Sequence, residues 1–227
     1  MMPGPRQIPF ALDHQPQMER DDFLVSPSNR PALELIESWP DWPNPLVILF
    51  GPPGAGKSHL VNIWTGDSGA AEVDLSRNAE APRTNALFID NIDNRPIDET
   101  RLFHLINEVS EAGQYLLLTA RTPVTDWNLT LPDLVSRLRL ATPVHLETPD
   151  DDLLRQVLVK LFADRQLLVD KPVVDYLLKR MERSLSVALQ LVDAIDREAL
   201  VESRRITRAL AARVFDRSRG RPAGPVD

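Results

Sequence analysis

Gly51-Pro52-Pro53-Gly54-Ala55-Gly56-Lys57-Ser58 fits the pattern G-x-x-x-x-G-K-[S/T] at every fixed position. The chemistry implied is phosphate binding. Glycines let the backbone wrap an anion so that its N–H groups and a helix N-terminus point inward. Lys57 adds a cation near the β- and γ-phosphates, and the Ser58 hydroxyl can hold Mg²⁺. A glycine-rich turn that binds nothing would need neither a strand before it nor a helix after it, and both are present. A second constellation is Leu87-Phe88-Ile89-Asp90-Asn91-Ile92-Asp93. Asp90, ending an apolar run, is placed to hold the hydration shell of Mg²⁺. At Asn91, where hydrolysing enzymes of this class commonly carry an acid, an amide can orient water but cannot take its proton, so slow intrinsic hydrolysis is expected. Thr119, closing another apolar run, is either a sensor of the γ-phosphate or a threonine at the edge of the core.

Elements of alternating type must position these groups. Leu46–Phe50 is an unbroken apolar run suited to a parallel strand buried on both faces, and a helix follows from Lys57 to Trp64. Further strands are expected at 71–75, 86–90, 115–119 and 143–146, with helices at 31–39, 98–112 and 131–140. Residues 76–85 are too short and polar to be read as a crossover helix. This alternation predicts an α/β fold with a five-stranded parallel sheet flanked by helices. After Thr148-Pro149-Asp150 only helical periodicity remains, at 151–166, 172–181, 185–203 and 207–217, which predicts a small all-α lid bundle. The expected division is a flexible tail over 1–22, an α/β domain over 23–148, a helical lid over 149–217 and a disordered basic tail over 218–227.

Composition narrows the classes. The 227 residues contain no cysteine, which excludes a disulfide framework and a thiolate metal site. No run approaches the ~18 apolar residues of a membrane helix, and no signal peptide is visible, so a cytoplasmic protein without membrane contact is expected. The net charge of −7 is uneven: residues 1–150 hold 11 Lys/Arg against 21 Asp/Glu, whereas residues 151–227 hold 15 against 12. The acidic first part argues against broad DNA binding there. In the tail, Gln7-Ile8-Pro9-Phe10-Ala11-Leu12 is an apolar island that either docks in a partner's groove or packs on the chain's own surface.

Two arginines gain weight from their order in the chain. Arg137, in Leu134-Val135-Ser136-Arg137-Leu138, precedes the last strand, where a ring-forming ATPase exposes a guanidinium to its neighbour's nucleotide. Arg183, at the head of the third lid helix, can fold back over the phosphates of its own site. Each is otherwise a surface arginine of the ordinary kind.

Taken together, these residues resemble the AAA+ ATPases of the DnaA branch, and within it the Hda-type regulators. The resemblance is carried by Ser28-Asn29-Arg30, Lys57-Ser58-His59-Leu60, Ile89-Asp90-Asn91-Ile92-Asp93, Phe103-His104 with Asn107, Leu118-Thr119, Ser136-Arg137-Leu138 and Arg183. It spans roughly residues 20–217. It implies an AAA+ core with a lid, an ADP or ATP ligand with Mg²⁺, and nucleotide contacts that also include Asn29, His59 and Arg183. It gives Asp90, Asn91, Thr119 and Arg137 roles around hydrolysis. Gln7, Ile8, Phe10 and Leu12 resemble the peptide by which Hda-type proteins bind the polymerase sliding clamp, although Pro9 and Phe10 stand where leucine-rich versions are commoner. DnaA continues into a helix-turn-helix domain where this sequence ends, so the shorter regulator is the expectation. It would act on DnaA-bound ATP through a trans arginine finger, in negative regulation of replication initiation, with self-association left open and DNA touched only indirectly or weakly. Arg121 departs from the acidic residue usual in initiators, and the 76–85 stretch is short. The rival readings are an adaptor that binds DNA or recruits a target to it, and an ATP-driven loader.

Overall fold

The computed structural model describes residues 18–75, 82, 84–202 and 205–219. Its centre is β1 (Leu46–Phe50), which pairs in parallel with β4 (Tyr115–Ala120) on one side and β5 (Thr142–His145) on the other. Beyond β4 lie β3 (Ala86–Ile89) and β2 (Ala71–Glu72), giving the order β2-β3-β4-β1-β5. All pairings are parallel, as the sequence predicts.

The two-residue alternation of each strand divides the core into two layers. Val47, Leu49 and Leu117 face α1 (Arg30–Glu37) and α2 (Lys57–Ser68), where Trp64 is buried and stacks on Trp42 with ring centroids 5.0 Å apart. Ile48, Leu116 and Leu118 face α3 (Glu99–Glu111) and α4 (Pro132–Arg139), meeting Leu102, Leu105, Ile106, Leu134 and Leu138. Because β1 is covered on both faces, its C-terminal end is rigid where the phosphate loop begins.

The lid is formed by α5 (Asp151–Asp164), α6 (Lys171–Leu178), α7 (Leu185–Glu202) and α8 (Arg208–Arg219). Its separate core contains Leu158, Phe162, Leu177, Val192, Ile195 and Ala211, all fully buried. Asp150 starts α5 by accepting a bond from Leu153 N–H at 2.7 Å. Among the described residues no helix is long and apolar enough to cross a membrane.

Several boundaries differ from those expected. The strand over 71–75 is ordered only as Ala71–Glu72, although Val73 N–H still donates to Phe88 at 2.8 Å. Helix α2 runs past Trp64 to Ser68, where Gly69 in the left-handed region stops it. Arg183 precedes the third lid helix rather than opening it, because α7 starts at Leu185. Three short 3-10 turns, at 20–22, 92–94 and 124–126, were not anticipated; such turns have no hydrophobic period to betray them.

The lid core sets a stability expectation. Phe162→Ala should cost about 3–5 kcal/mol, since it removes a ring from a closed core, whereas Leu168→Ala, at a residue 92% exposed, should stay within about 0.5 kcal/mol. Urea unfolding midpoints of the two variants check the contrast.

Candidate nucleotide site

The phosphate loop leaves β1 at Phe50 and is wedged between two strands. Gly51 N–H donates to the Ala120 carbonyl at 3.2 Å, and a side chain at Gly51 would overlap the Leu146 carbonyl oxygen. Gly54 and Gly56 have φ of 71° and 110°, a region that β-carbons disfavour. The loop then delivers Lys57 as the first residue of α2. Its ammonium is buried and donates to the Gly51 and Pro52 carbonyls at 2.7 and 3.1 Å. Burial lowers its pKa, opposed by the carboxylates of Asp90 and Asp93 and assisted by the Arg121 cation.

Next to it, Asp90 stands one residue past β3. One carboxylate oxygen accepts from the Ser58 hydroxyl at 3.0 Å, and the other accepts from Thr119 Oγ1. Thr119 is fully buried, and its hydroxyl also accepts from Asn91 N–H at 2.7 Å. The threonine therefore holds the acid and its successor in place from beneath. Asn91 adopts φ of 51°, which a short amide side chain tolerates and which turns the chain sharply after the acid. These residues fit a phosphate with a divalent cation: glycines cradle it, a buried cation faces it, and a hydroxyl–carboxylate pair stands beside it. Among the described residues no cluster of three or more histidines or acids forms a separate metal site.

The other residues singled out from the sequence make contacts of their own. The Asn29 amide is committed to its own loop, with Oδ1 accepting from Ser26 N–H and Nδ2 donating to the Leu24 carbonyl, both at 2.8 Å. His59 turns to the segment before α1: its Nε2 meets the Glu19 carbonyl at 3.0 Å and its ring stands edge-on to Phe23. Burial lowers the His59 pKa, partly opposed by that carbonyl and by Asp22. Arg183 is exposed and pairs with Asp151 at 3.1 Å. Arg137 lies exposed on the last turn of α4 with no carboxylate partner among the described residues. Gln7, Ile8, Phe10 and Leu12 lie outside the described residues.

Sequence reasoning missed the lid's grip on the loop. Leu185 N–H, at the start of α7, donates to the Gly54 carbonyl at 2.7 Å, and a β-carbon at Gly54 would overlap the hydroxyls of Ser184 and Ser186. The available signal was Ser184 just ahead of an apolar helix, which marks a helix start but not what it touches. It missed the junction as well: Glu147 N–H donates to the Ser28 carbonyl at 3.3 Å, and the Leu153 amide chiefly holds the Asp150 carboxyl below the usual range.

Residues 150–213 match the family model described as Hda, lid domain. The lid is of the Hda type. The chain is similar in fold to domain III of the Thermotoga maritima replication initiation protein DnaA, with a TM-score of 0.76 at 16% identity, covering 89% of this chain and 97% of that one. It is also similar to AMPPCP-bound DnaA from Aquifex aeolicus (TM-score 0.69, 16% identity, 91% and 71% covered). A third similar structure is the Thermotoga maritima RuvB Holliday junction branch migration motor (0.66, 18%, 88% and 71%). The chain thus has the AAA+ fold that these structures share, and its lid matches the Hda lid model.

The two kinds of contact at the loop separate by mutation. Gly54→Ala should prise the Hda-type lid from the loop, weakening ADP by about tenfold or more, an amount that 1.4 kcal/mol carries, and exposing the 147–150 hinge to protease. Lys57→Ala should weaken ADP at least as much while leaving hinge cleavage of the ligand-free protein unchanged. Titration calorimetry and limited proteolysis check both.

Proposed function

We propose that this protein is a nucleotide-bound regulator of replication initiation. With the DNA-loaded sliding clamp, it stimulates hydrolysis of ATP held by the DnaA initiator. The observation that carries the reading is Arg137: exposed, unpaired among the described residues, and placed on the helix before the last strand of an AAA+ core that wears an Hda-type lid. A surface arginine kept without a carboxylate is free to meet charge on another molecule.

In its own site the ligand would be ADP or ATP with Mg²⁺, a reading supported by the shared fold with an AMPPCP-bound DnaA. Ser58 and Asp90 would hold the metal, which when bound neutralises phosphate charge. The loop amides and Lys57 bind the phosphates, Thr119 holds Asp90 at its angle, and Leu185 ties the lid to Gly54. Asn91 orients water without accepting its proton, so the protein's own turnover is slow. Arg137 then acts in trans, placing its guanidinium against the charge that develops as the initiator's γ-phosphoryl departs. Reading α8 as a DNA contact is disfavoured by its ion pairs, since Arg213 bonds to Glu202 and Arg217 to Glu198 at 2.8 Å.

Arg137→Ala should fold, bind ADP and bind clamp, yet lose stimulation of DnaA-bound ATP hydrolysis by on the order of 10³-fold. Labelled ATP on DnaA, followed after adding each protein with clamp-loaded DNA, decides it; wild-type stimulation by the variant refutes the trans finger. Deleting residues 1–14, which spares the Glu19, Asp22 and Phe23 contacts to α2 and α5, should abolish clamp binding with ADP affinity unchanged. Surface plasmon resonance on immobilised clamp checks this.

A further inference from the structure

The helix that carries Arg137 is short and sparsely anchored. Only Leu134 and Leu138 of its eight residues are buried, both on one stripe, so packing alone leaves it free to roll about that stripe. Its N-terminus is not capped by its own N-cap residue, because Leu131 offers no side-chain acceptor. The missing acceptor comes from Glu99, the first residue of α3. Its carboxylate accepts from Leu131 N–H at 2.6 Å, from Thr130 N–H at 2.9 and 3.0 Å through its two oxygens, and from the Thr130 hydroxyl at 3.0 Å. The Leu131 amide first, then that of Thr130, holds its pKa below the usual carboxylate range.

Glu99 stands nine positions beyond Asp90, and the stretch between them is fixed at a second point. Asp93 accepts from Arg121 N–H at 2.8 Å, and from the Thr122 N–H and hydroxyl at 3.0 Å each. The loop joining Thr119 to α4 is thus held at one end by Asp93 and at the other by Glu99. Midway, the buried Trp127 donates its indole N–H to the Thr122 carbonyl at 3.0 Å. Both carboxylates follow Asp90 on one continuous segment. The helix with the exposed arginine is therefore set in register with the metal-side acid.

We propose that Glu99 is a positioning residue for Arg137, orienting the arginine helix by capping it from α3; this rests on the trans-finger reading above. Removing the carboxylate leaves the nucleotide site untouched but lets the guanidinium wander, and misplacement of about 1 Å in such a group costs on the order of 10²-fold in rate.

The test compares wild type, Glu99→Ala, Glu99→Gln and Arg137→Ala in two assays. One measures stimulated hydrolysis of DnaA-bound ATP across a range of regulator concentrations with clamp-loaded DNA. The other measures amide hydrogen exchange over residues 130–139. Glu99→Ala should lower the maximal rate by on the order of 10²-fold with an unchanged half-saturating concentration and unchanged ADP affinity, and should speed exchange in that segment. Glu99→Gln, which keeps one acceptor oxygen, should fall between, and its expected folding keeps the test available should the alanine variant fail. Faster exchange with a wild-type maximal rate overturns the positioning role, as does a loss confined to half-saturation. Wild-type stimulation by Arg137→Ala overturns the finger, and the positioning role with it; wild-type stimulation by Glu99→Ala alongside an inactive Arg137→Ala overturns the positioning role alone.

Discussion

An ammonium buried inside a loop of backbone is the constraint on which the rest of the molecule depends. Lys57 donates to the Gly51 and Pro52 carbonyls from a position almost closed to solvent, and its lowered pKa records the cost of that burial. Such a group persists only where the surroundings are rigid. The loop is accordingly fastened to β4 through Gly51 and to α7 through Gly54, and its parent strand is covered on both faces. Each glycine sits where a side chain would collide or strain, so the geometry of the loop is dictated by what lies around it rather than by the loop itself.

The acidic surplus of the first 150 residues finds its place in this arrangement. Asp93, Asp98, Glu99 and Asp150 do not sit idle on the surface; each accepts backbone N–H groups at a loop or helix start. A carboxylate that takes two or three amides fixes a turn more firmly than a neutral cap, because the bonds are charge-assisted. Negative charge therefore does structural duty along the C-terminal rim of the sheet, where loops must be shaped without help from a hydrophobic core. That placement also surrounds Lys57 with compensating charge from Asp90 and Asp93.

The sheet, the loop helix and the lid were legible because each has a local signature: an apolar run, a glycine pattern, a 3.6-residue period. Asp90 and Thr119 were legible as positions, at strand ends beside the loop. Their bond to each other was not, because it joins residues 29 apart by a single hydroxyl and leaves no period in the sequence. The same applies to Leu185 on Gly54 and Glu99 on Thr130, which depend on how separate elements dock. Asn29 and His59 were assigned to the nucleotide through the resemblance; the contacts their side chains make, the one within its own loop and the other to Glu19 and Phe23, could not be read from the sequence. The Arg183 pair with Asp151, the first residue of α5, is likewise set by how the lid helices dock.

Two contacts radiate from Asp90 to opposite ends of its own site. Through Ser58 it touches the start of α2, which carries the phosphate loop and, through Gly54, the lid. Through Thr119 and the segment that follows it, the acid is continuous with the loop leading to Arg137. A group that engages Asp90 therefore bears on both. Spatial continuity alone is not coupling, since energy passes between sites only through an element with two discrete arrangements. On this path α4 is held by two buried leucines, the Glu99 carboxylate and a bond from Asn44 Nδ2 to the Leu140 carbonyl, and it carries Arg137 into open solvent. For nucleotide in this chain's own site to change where Arg137 points, α4 would have to shift, and the Glu99 bonds to Thr130 and Leu131 are contacts that oppose such a shift.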